Sequence, residues 1–445
     1  MIVDIDSDNI KRLKNKGLAG AARLYVDIYR TFLEHIARTG MPVAAERCPS
    51  VRENRVKSLK MMGAEALYNG RQIKLNHLSP ACGECRTGAE STTFILSLQC
   101  NRDCYFCTNR NQENYEVGRL GTADVIQQFD QVLKRNGKMK AAALTGGEPL
   151  LFPAECAEFV AHVKKTSPAT HTRIYTNGDL ATPETLSVLA AAGLDEIRFG
   201  IKLDDDFAYD PPILGTIGVA VDLIPRVLVE MPVPPGAAAS MRQLMTELDH
   251  LGVAGINLLE FLFPWHNPVE YRRRGFAVKA KPYQVLYDYD YAGGLPVDGS
   301  EEECLDLIAY AAQSSMTMGV HYCSLENKLT AQRYHQNSKV KLSAVEMFSS
   351  TDFFIKTAKA YGEDVALVKR TLSRDPRIHI LEDRANNLIE FNPEFIPRLA
   401  ACQETRDLEI GITYNIVESE GQSRFLRELK INMATPCNFD PRVDL

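Results

Sequence analysis

Cys100, Cys104 and Cys107 stand in a C-x3-C-x2-C frame directly after the apolar run 93–98. Three thiolates on one short loop can hold three irons of a four-iron cluster. An iron–sulfur cube normally takes four cysteine ligands, so a loop that offers three leaves one iron open to bind something else. On the frame alone, a zinc knuckle or three buried thiols are the other readings. Farther on, the apolar strand 141–144 runs into Thr145-Gly146-Gly147-Glu148-Pro149. Its two glycines allow close backbone approach to a ligand, and Glu148 is placed to accept from an ammonium group. A second cysteine pair, Cys82 and Cys85, forms a C-x2-C turn just upstream. Such a half-site serves zinc or a cluster and says little without its other half, so an auxiliary iron–sulfur cluster, zinc and unmetallated thiols stay open.

These residues need elements to place them. Strand-like runs at 93–98, 140–145, 172–176, 195–201, 225–231 and 255–262 alternate with helix-like stretches near 122–136, 153–165, 182–192, 212–222 and 238–251. That alternation predicts successive βα units and a parallel sheet, and six strands fit a partial (β/α)6 TIM-type barrel better than a closed one. Capping hydroxyls at Thr122 and Thr182, the latter followed by Pro183, mark two helix starts. Ligands of parallel α/β folds sit at the carboxyl ends of the strands, which is where both motifs fall. Thr176-Asn177-Gly178 ends the third strand. Arg198 and Lys202 alternate inward on the fourth, with Arg198 either a carboxylate-binding group or half of a strand-end ion pair, since a buried charge is costly unless paired. Glu230 and Glu260 interrupt apolar strands as substrate contacts or partners for these bases. The short strand 319–324 carries Cys323, the best candidate to complete a site with Cys82 and Cys85; His321, Cys304 or Cys437 would supply a fourth ligand. Cys156 and Cys402 read as structural, and Cys48 as a buried thiol.

The cysteine frame and the Gly-Gly-Glu-Pro turn together resemble the radical S-adenosylmethionine (radical SAM) superfamily. The resemblance implies a [4Fe-4S] cluster on Cys100, Cys104 and Cys107 whose open iron binds the amino and carboxylate groups of SAM. It implies that the turn Gly146, Gly147, Glu148 and Pro149 receives the amino group, that Phe106 lies beside the adenine, and that Thr176 and Asn177 line the same site. The implied reaction is reductive cleavage of SAM to a 5′-deoxyadenosyl radical that abstracts hydrogen from an unidentified substrate, with the electron supplied by a donor such as flavodoxin or ferredoxin. Cys82-x2-Cys85, the turn 230–236, the strand 257–261 and His321-Tyr322-Cys323-Ser324 narrow the resemblance to radical SAM proteins described as related to pyruvate formate-lyase activating enzyme. That group has Gly-Gly-Asp-Pro where this chain has Gly-Gly-Glu-Pro, so a carboxylate remains. Two rivals stand beside this reading. One is an activase that makes a glycyl radical on a partner protein, a design usually more compact than this chain. The other is an electron-transfer or metal-binding scaffold without SAM cleavage, against which the intact Glu148 and glycines weigh.

Length and composition set the frame. The chain has 445 residues, enough for two or three domains of about 150 residues: a helical N-terminal extension (1–80, with helices at 21–38 and 51–68, the second ended by Asn69-Gly70), a core (81–338) and a C-terminal α+β domain (339–445). Hydrophobic content of 45% with 24% charged residues fits a globular protein. A net charge of −6 argues against a surface devoted to nucleic acid or anionic membrane, and Arg272-Arg273-Arg274 reads as a solvated face. No secretory signal or membrane-spanning apolar segment is seen. Eleven cysteines, an odd number with several clustered, point to metal ligation in a reducing, cytoplasmic compartment. The aromatic stretch 264–299, with five tyrosines between 271 and 291, suggests a lid or substrate platform. The tail predicts a hairpin around 385–387 and a strand over 409–417. It lacks the cysteine-rich pattern of peptide-modifying relatives.

Overall fold

Alternating strand and helix signals between 91 and 260 become, in a computed structural model, six parallel strands: β3 (Ser91–Ser97), β4 (Ala141–Gly146), β5 (His171–Thr176), β6 (Glu196–Phe199), β7 (Arg226–Val233) and β8 (Gly255–Glu260). The structure describes residues 1–280, 294–420 and 423–445. The strand period of two sorts the sheet into faces. Ile174, Ile197, Val229 and Ile256 join Phe159, Leu189 and Met245 of the intervening helices in one core. Arg173, Glu196, Arg198 and Asn257, at the alternate positions, are buried on the opposite face. Helix starts follow the capping signals in part. Thr182 accepts from the Thr185 amide ahead of Pro183, whereas the other cap is Asp124, accepting from the Gln127 amide, and not Thr122.

The open, partial parallel barrel is as expected, and it gains a seventh strand, because β11 (Gly319–Cys323) pairs alongside β8. Two expectations are corrected. The N-terminal segment is not wholly helical. Helix Pro49–Met61 ends ahead of Gly63, which takes a left-handed φ of 95°. Asn69-Gly70 instead turns a hairpin between β1 (Glu65–Leu67) and β2 (Gln72–Leu75), the familiar use of that dipeptide. β2 then pairs antiparallel with β11, so Ile73 and Leu75 enter the main core. Nor do residues 1–36 stand alone. They cluster with 332–445 as one compact unit, while 37–280 and 294–331 form the other. The reason is long-range: Val3 bridges to Met433, and Leu18 packs with Ile5, Tyr361 and Ile431.

Within that first unit, β13 (Ile355–Tyr361) and β16 (Ile410–Glu420) centre an antiparallel sheet with β12 (Met347–Phe348), β14 (Ile380–Asp383), β15 (Leu388–Phe391) and β17 (Ser423–Ala434). In the barrel unit, β9 (Leu262–Phe263) and β10 (Leu295–Pro296) form a small ribbon. Helix Pro268–Arg273 follows β9, and its arginines are engaged: Arg273 and Arg274 pair with Asp205 and Glu270, and Arg272 donates to the Thr39 carbonyl. Of the aromatic stretch suggested as a lid, Tyr283, Tyr287, Tyr289 and Tyr291 lie outside the described residues. No helix among the described residues is long and apolar enough to cross a membrane.

Glu301, buried at the start of helix Ser300–Gln313, receives Lys279 Nζ at 2.7 Å and Arg52 Nε at 2.7 Å. Burial pushes its carboxyl up, but the two cations hold it down at about 2. A folded value below the unfolded value of about 4.3 stabilises the fold at neutral pH, and that stability is lost as pH falls through about 2. Glu301→Gln is therefore expected to lower Tm clearly at pH 7 and far less at about pH 2.5. Thermal melts across pH test this, and an equal deficit at both ends would contradict it.

Candidate active site

At the carboxyl ends of the strands lies a cavity of about 330 Å³, and Cys100, Cys104, Cys107, Phe106, Gly147, Thr176, Asn177 and Arg198 all line it. The cysteine loop leaves β3 and is tied to the glycine turn that leaves β4. Gly147 N donates to Ser97 O and Glu148 N to Gln99 O, both at 2.8 Å. A Cβ on Gly146 would lie 2.0 Å from Ser97 O, and one on Gly147 1.9 Å from Gln99 O. Only glycine permits this approach, and it lands directly ahead of Cys100. From β5, Asn177 Nδ2 donates to Asn101 Oδ1 at 2.7 Å, and Asp179 accepts from Asn101 and Arg102. Asn109 Nδ2 closes the loop onto Gly146 O at 2.5 Å. The three thiols are half-buried and free. Burial pushes up Cys100 and Cys104, with Lys202 acting the other way on Cys104.

Two of the charged site residues are engaged by the protein itself. Glu148 is 1% exposed and lies beneath the turn. Its carboxylate accepts from Leu150 N at 3.0 Å, Thr176 Oγ1 at 2.7 Å and Asn177 N at 2.6 Å, bracing the end of β4 against that of β5. Pro149 follows, buried, at the start of a single 3-10 turn. Arg198 is likewise committed, donating to Glu196, Glu230 and Cys82. Of the other cavity cations, Arg102 pairs with Asp179 and Arg110 with Asp103. Lys202 and Lys328 face the cavity with no ion pair among the described residues. Glu260 is held by Lys279 and the Leu325 amide. Phe106 packs edge-on against Tyr105 and Phe261, with ring centroids 5.1 and 5.8 Å away. Asn109, Asp179, Phe261 and Lys328 escaped the sequence reading; only an asparagine so close behind the third cysteine hinted at a role.

Residues 94–224 match the Radical SAM superfamily. That segment carries the cysteine loop and the glycine turn. Over 225 residues the chain is 26% identical to a Methanocaldococcus jannaschii protein named as a candidate glycyl-radical enzyme activating enzyme, a match covering 49% of this chain and 59% of that one. It is 30% identical over 101 residues to the S-adenosyl-L-methionine-dependent 2-deoxy-scyllo-inosamine dehydrogenase of Niallia circulans, covering 23% and 40%. The chain thus spans about three fifths or less of these curated relatives. Among solved structures it is similar to Streptococcus suis SuiB bound to the precursor peptide SuiA (TM-score 0.38, 13% identity, covering 72% of this chain and 67% of that one). It is also similar to the Escherichia coli coproporphyrinogen III oxidase HemN (TM-score 0.33, 13% identity, covering 54% and 56%).

A match to that family implies a [4Fe-4S] cluster and SAM. Three free thiols that line the same cavity as the glycine turn are a donor set that fits. In the second cysteine set, Cys82 is buried, Cys323 half-buried and Cys85 exposed. Arg198 Nη2 donates to Cys82 Sγ at 3.2 Å and Asn257 Nδ2 at 3.4 Å, and Asn327 Nδ2 donates to Cys323 Sγ at 3.3 Å. Burial pushes Cys82 up, but Arg198 and His321 beside it bring it down to about 6. Burial raises Cys323 to about 12, and burial with the neighbouring Cys82 charge raises Cys85. Among the other cysteines, Cys304 and Cys156 are buried against the carbonyls of Leu259 and Pro149. Cys402 is half-buried, Cys437 is exposed beside Asp407, and Cys48 is exposed, not buried, because it caps a surface helix.

Proposed function

We propose that this chain is a radical SAM enzyme that holds a [4Fe-4S] cluster on Cys100, Cys104 and Cys107 and uses SAM to start hydrogen abstraction from a substrate in the same cavity. The observation that carries this reading is that the three thiols and the glycine turn line one cavity at the strand ends. With SAM at its open iron, such a cluster supplies one-electron cleavage of the sulfur–carbon bond, giving methionine and a 5′-deoxyadenosyl radical. The chain's own residues bind and shield. The backbone of Gly146 and Gly147 meets the SAM amino group, and Glu148 acts through the turn it braces. Lys202, beside Cys104 and with no ion pair among the described residues, takes the SAM carboxylate in place of the committed Arg198. Phe106 flanks the adenine. Leu98, Pro232, Leu259, Phe261 and Leu262 give the cavity an apolar wall that keeps out water and stray hydrogen donors. The electron comes from a donor such as flavodoxin or ferredoxin.

Lys202→Met is expected to raise the SAM Kd roughly tenfold or more, as befits one lost charge-assisted contact of about 1.5–3 kcal/mol, with iron content unchanged. Calorimetric titration with SAM reads this, and an unaltered Kd removes Lys202 from the site. The M. jannaschii relative favours a second reading, in which the radical is passed to a glycine of a partner protein. A glycyl-radical doublet on a co-incubated partner would support it.

A further inference from the structure

The interior of a parallel barrel is ordinarily filled by branched apolar side chains. Here the inward positions of β5, β6, β8 and β11 are Arg173, Glu196, Arg198, Asn257 and His321, all buried, with Cys323 at the end of β11. Such a polar interior is tolerated only where its groups are paired. Most are. The exceptions gather on the cysteine side: His321 Nε2, Arg173 Nε, Gln72 Oε1 and Asn327 Oδ1 make no hydrogen bond within distance among the described residues. Gln72 is the register partner of Cys323 on β2, and Asn327 donates to the Cys323 sulfur.

We infer that Cys82, Cys85 and Cys323, with His321 as the fourth ligand, hold a second iron–sulfur cluster inside the barrel, separate from that on the loop. Chain segments far apart in sequence converge to make this site: helix Pro80–Cys85 supplies two thiols, and the end of β11 supplies the third. The imidazole is set for ligation. Asn257 gives its amide hydrogens to Glu230 and Cys82, so its Oδ1 faces His321 Nδ1 at 3.1 Å and can only accept. The ring proton therefore sits on Nδ1, and Nε2, on a residue 3% exposed, presents a lone pair; ligating histidines are commonly oriented by such a bond. Arg198, Asn257 and Asn327 already donate to the sulfurs, the kind of hydrogen bond that stabilises cluster thiolates.

The test separates this centre from the loop cluster. A Cys100→Ser/Cys104→Ser/Cys107→Ser variant, reconstituted anaerobically with iron and sulfide, is expected to retain about four irons of the roughly eight in the wild type, with the absorbance and reduced paramagnetic signal of a [4Fe-4S] centre. Adding Cys82→Ser and Cys323→Ser should remove them, and His321→Ala alone should keep iron but shift the signal. Because the multiple variants risk misfolding, circular dichroism accompanies each, and the wild-type iron count stands as a second reading. No iron in a folded triple variant, about four irons in the wild type, or zinc in place of iron would each overturn the inference.

Discussion

Replacing Cys100, Cys104 or Cys107 with alanine is expected to abolish SAM cleavage while leaving the fold intact. Each substitution removes one of three thiolates that the loop brings to the cavity, leaving a cube with only two of its usual four cysteine ligands. Formation of 5′-deoxyadenosine should drop by at least about a thousandfold, since uncatalysed reactions lie roughly 10⁶-fold or more below enzyme rates. The thiols are half-buried and line a cavity instead of filling a core, so Tm should move little. Product formation by chromatography, beside thermal melts, reads both effects. Substantial turnover in any of the three variants would contradict the ligand assignment.

Gly147→Ala is expected to have the next largest effect, and by a different route. The new Cβ would fall 1.9 Å from Gln99 O and 2.4 Å from the Gln99 carbonyl carbon, both backbone atoms that cannot swing aside. The turn must separate from the strand that feeds the cysteine loop, breaking the bonds from Gly147 N to Ser97 O and from Glu148 N to Gln99 O. Overpacking of this kind costs about 1–3 kcal/mol, and a shift of about 1 Å near the reacting groups costs about 10²-fold in rate. Tm and single-turnover SAM cleavage should fall together. A variant with wild-type turnover would mean that the turn does not position the loop.

How much of this was legible in the chain follows from the range of each signal. The βα alternation from 91 to 260 is local, and so are the cysteine frame and the two glycines; each showed in the sequence. The β1–β2 hairpin did not, because its strands are short and Asn69-Gly70 serves equally as a helix stop or a hairpin turn. Glu148 was visible as a carboxylate, but its engagement by Thr176 and Asn177 is settled only when β4 and β5 lie side by side. Arg198 shows the same limit. Glu196, Glu230 and Cys82 come from three places in the chain, and their convergence is what leaves Lys202 and Lys328 as the cavity cations with no ion pair among the described residues. The pairing of Val3 with Met433 leaves no local trace at all.

The measurement that bears most directly on the central claim is electron paramagnetic resonance of the anaerobically reconstituted, reduced protein with and without SAM, followed by quantitation of 5′-deoxyadenosine and methionine from the same sample. The account predicts a [4Fe-4S] signal that changes on adding SAM, both products in equal amounts, and neither change nor products in Cys104→Ala. A cluster signal indifferent to SAM, with no 5′-deoxyadenosine formed, would contradict it and leave a metal-binding scaffold in its place.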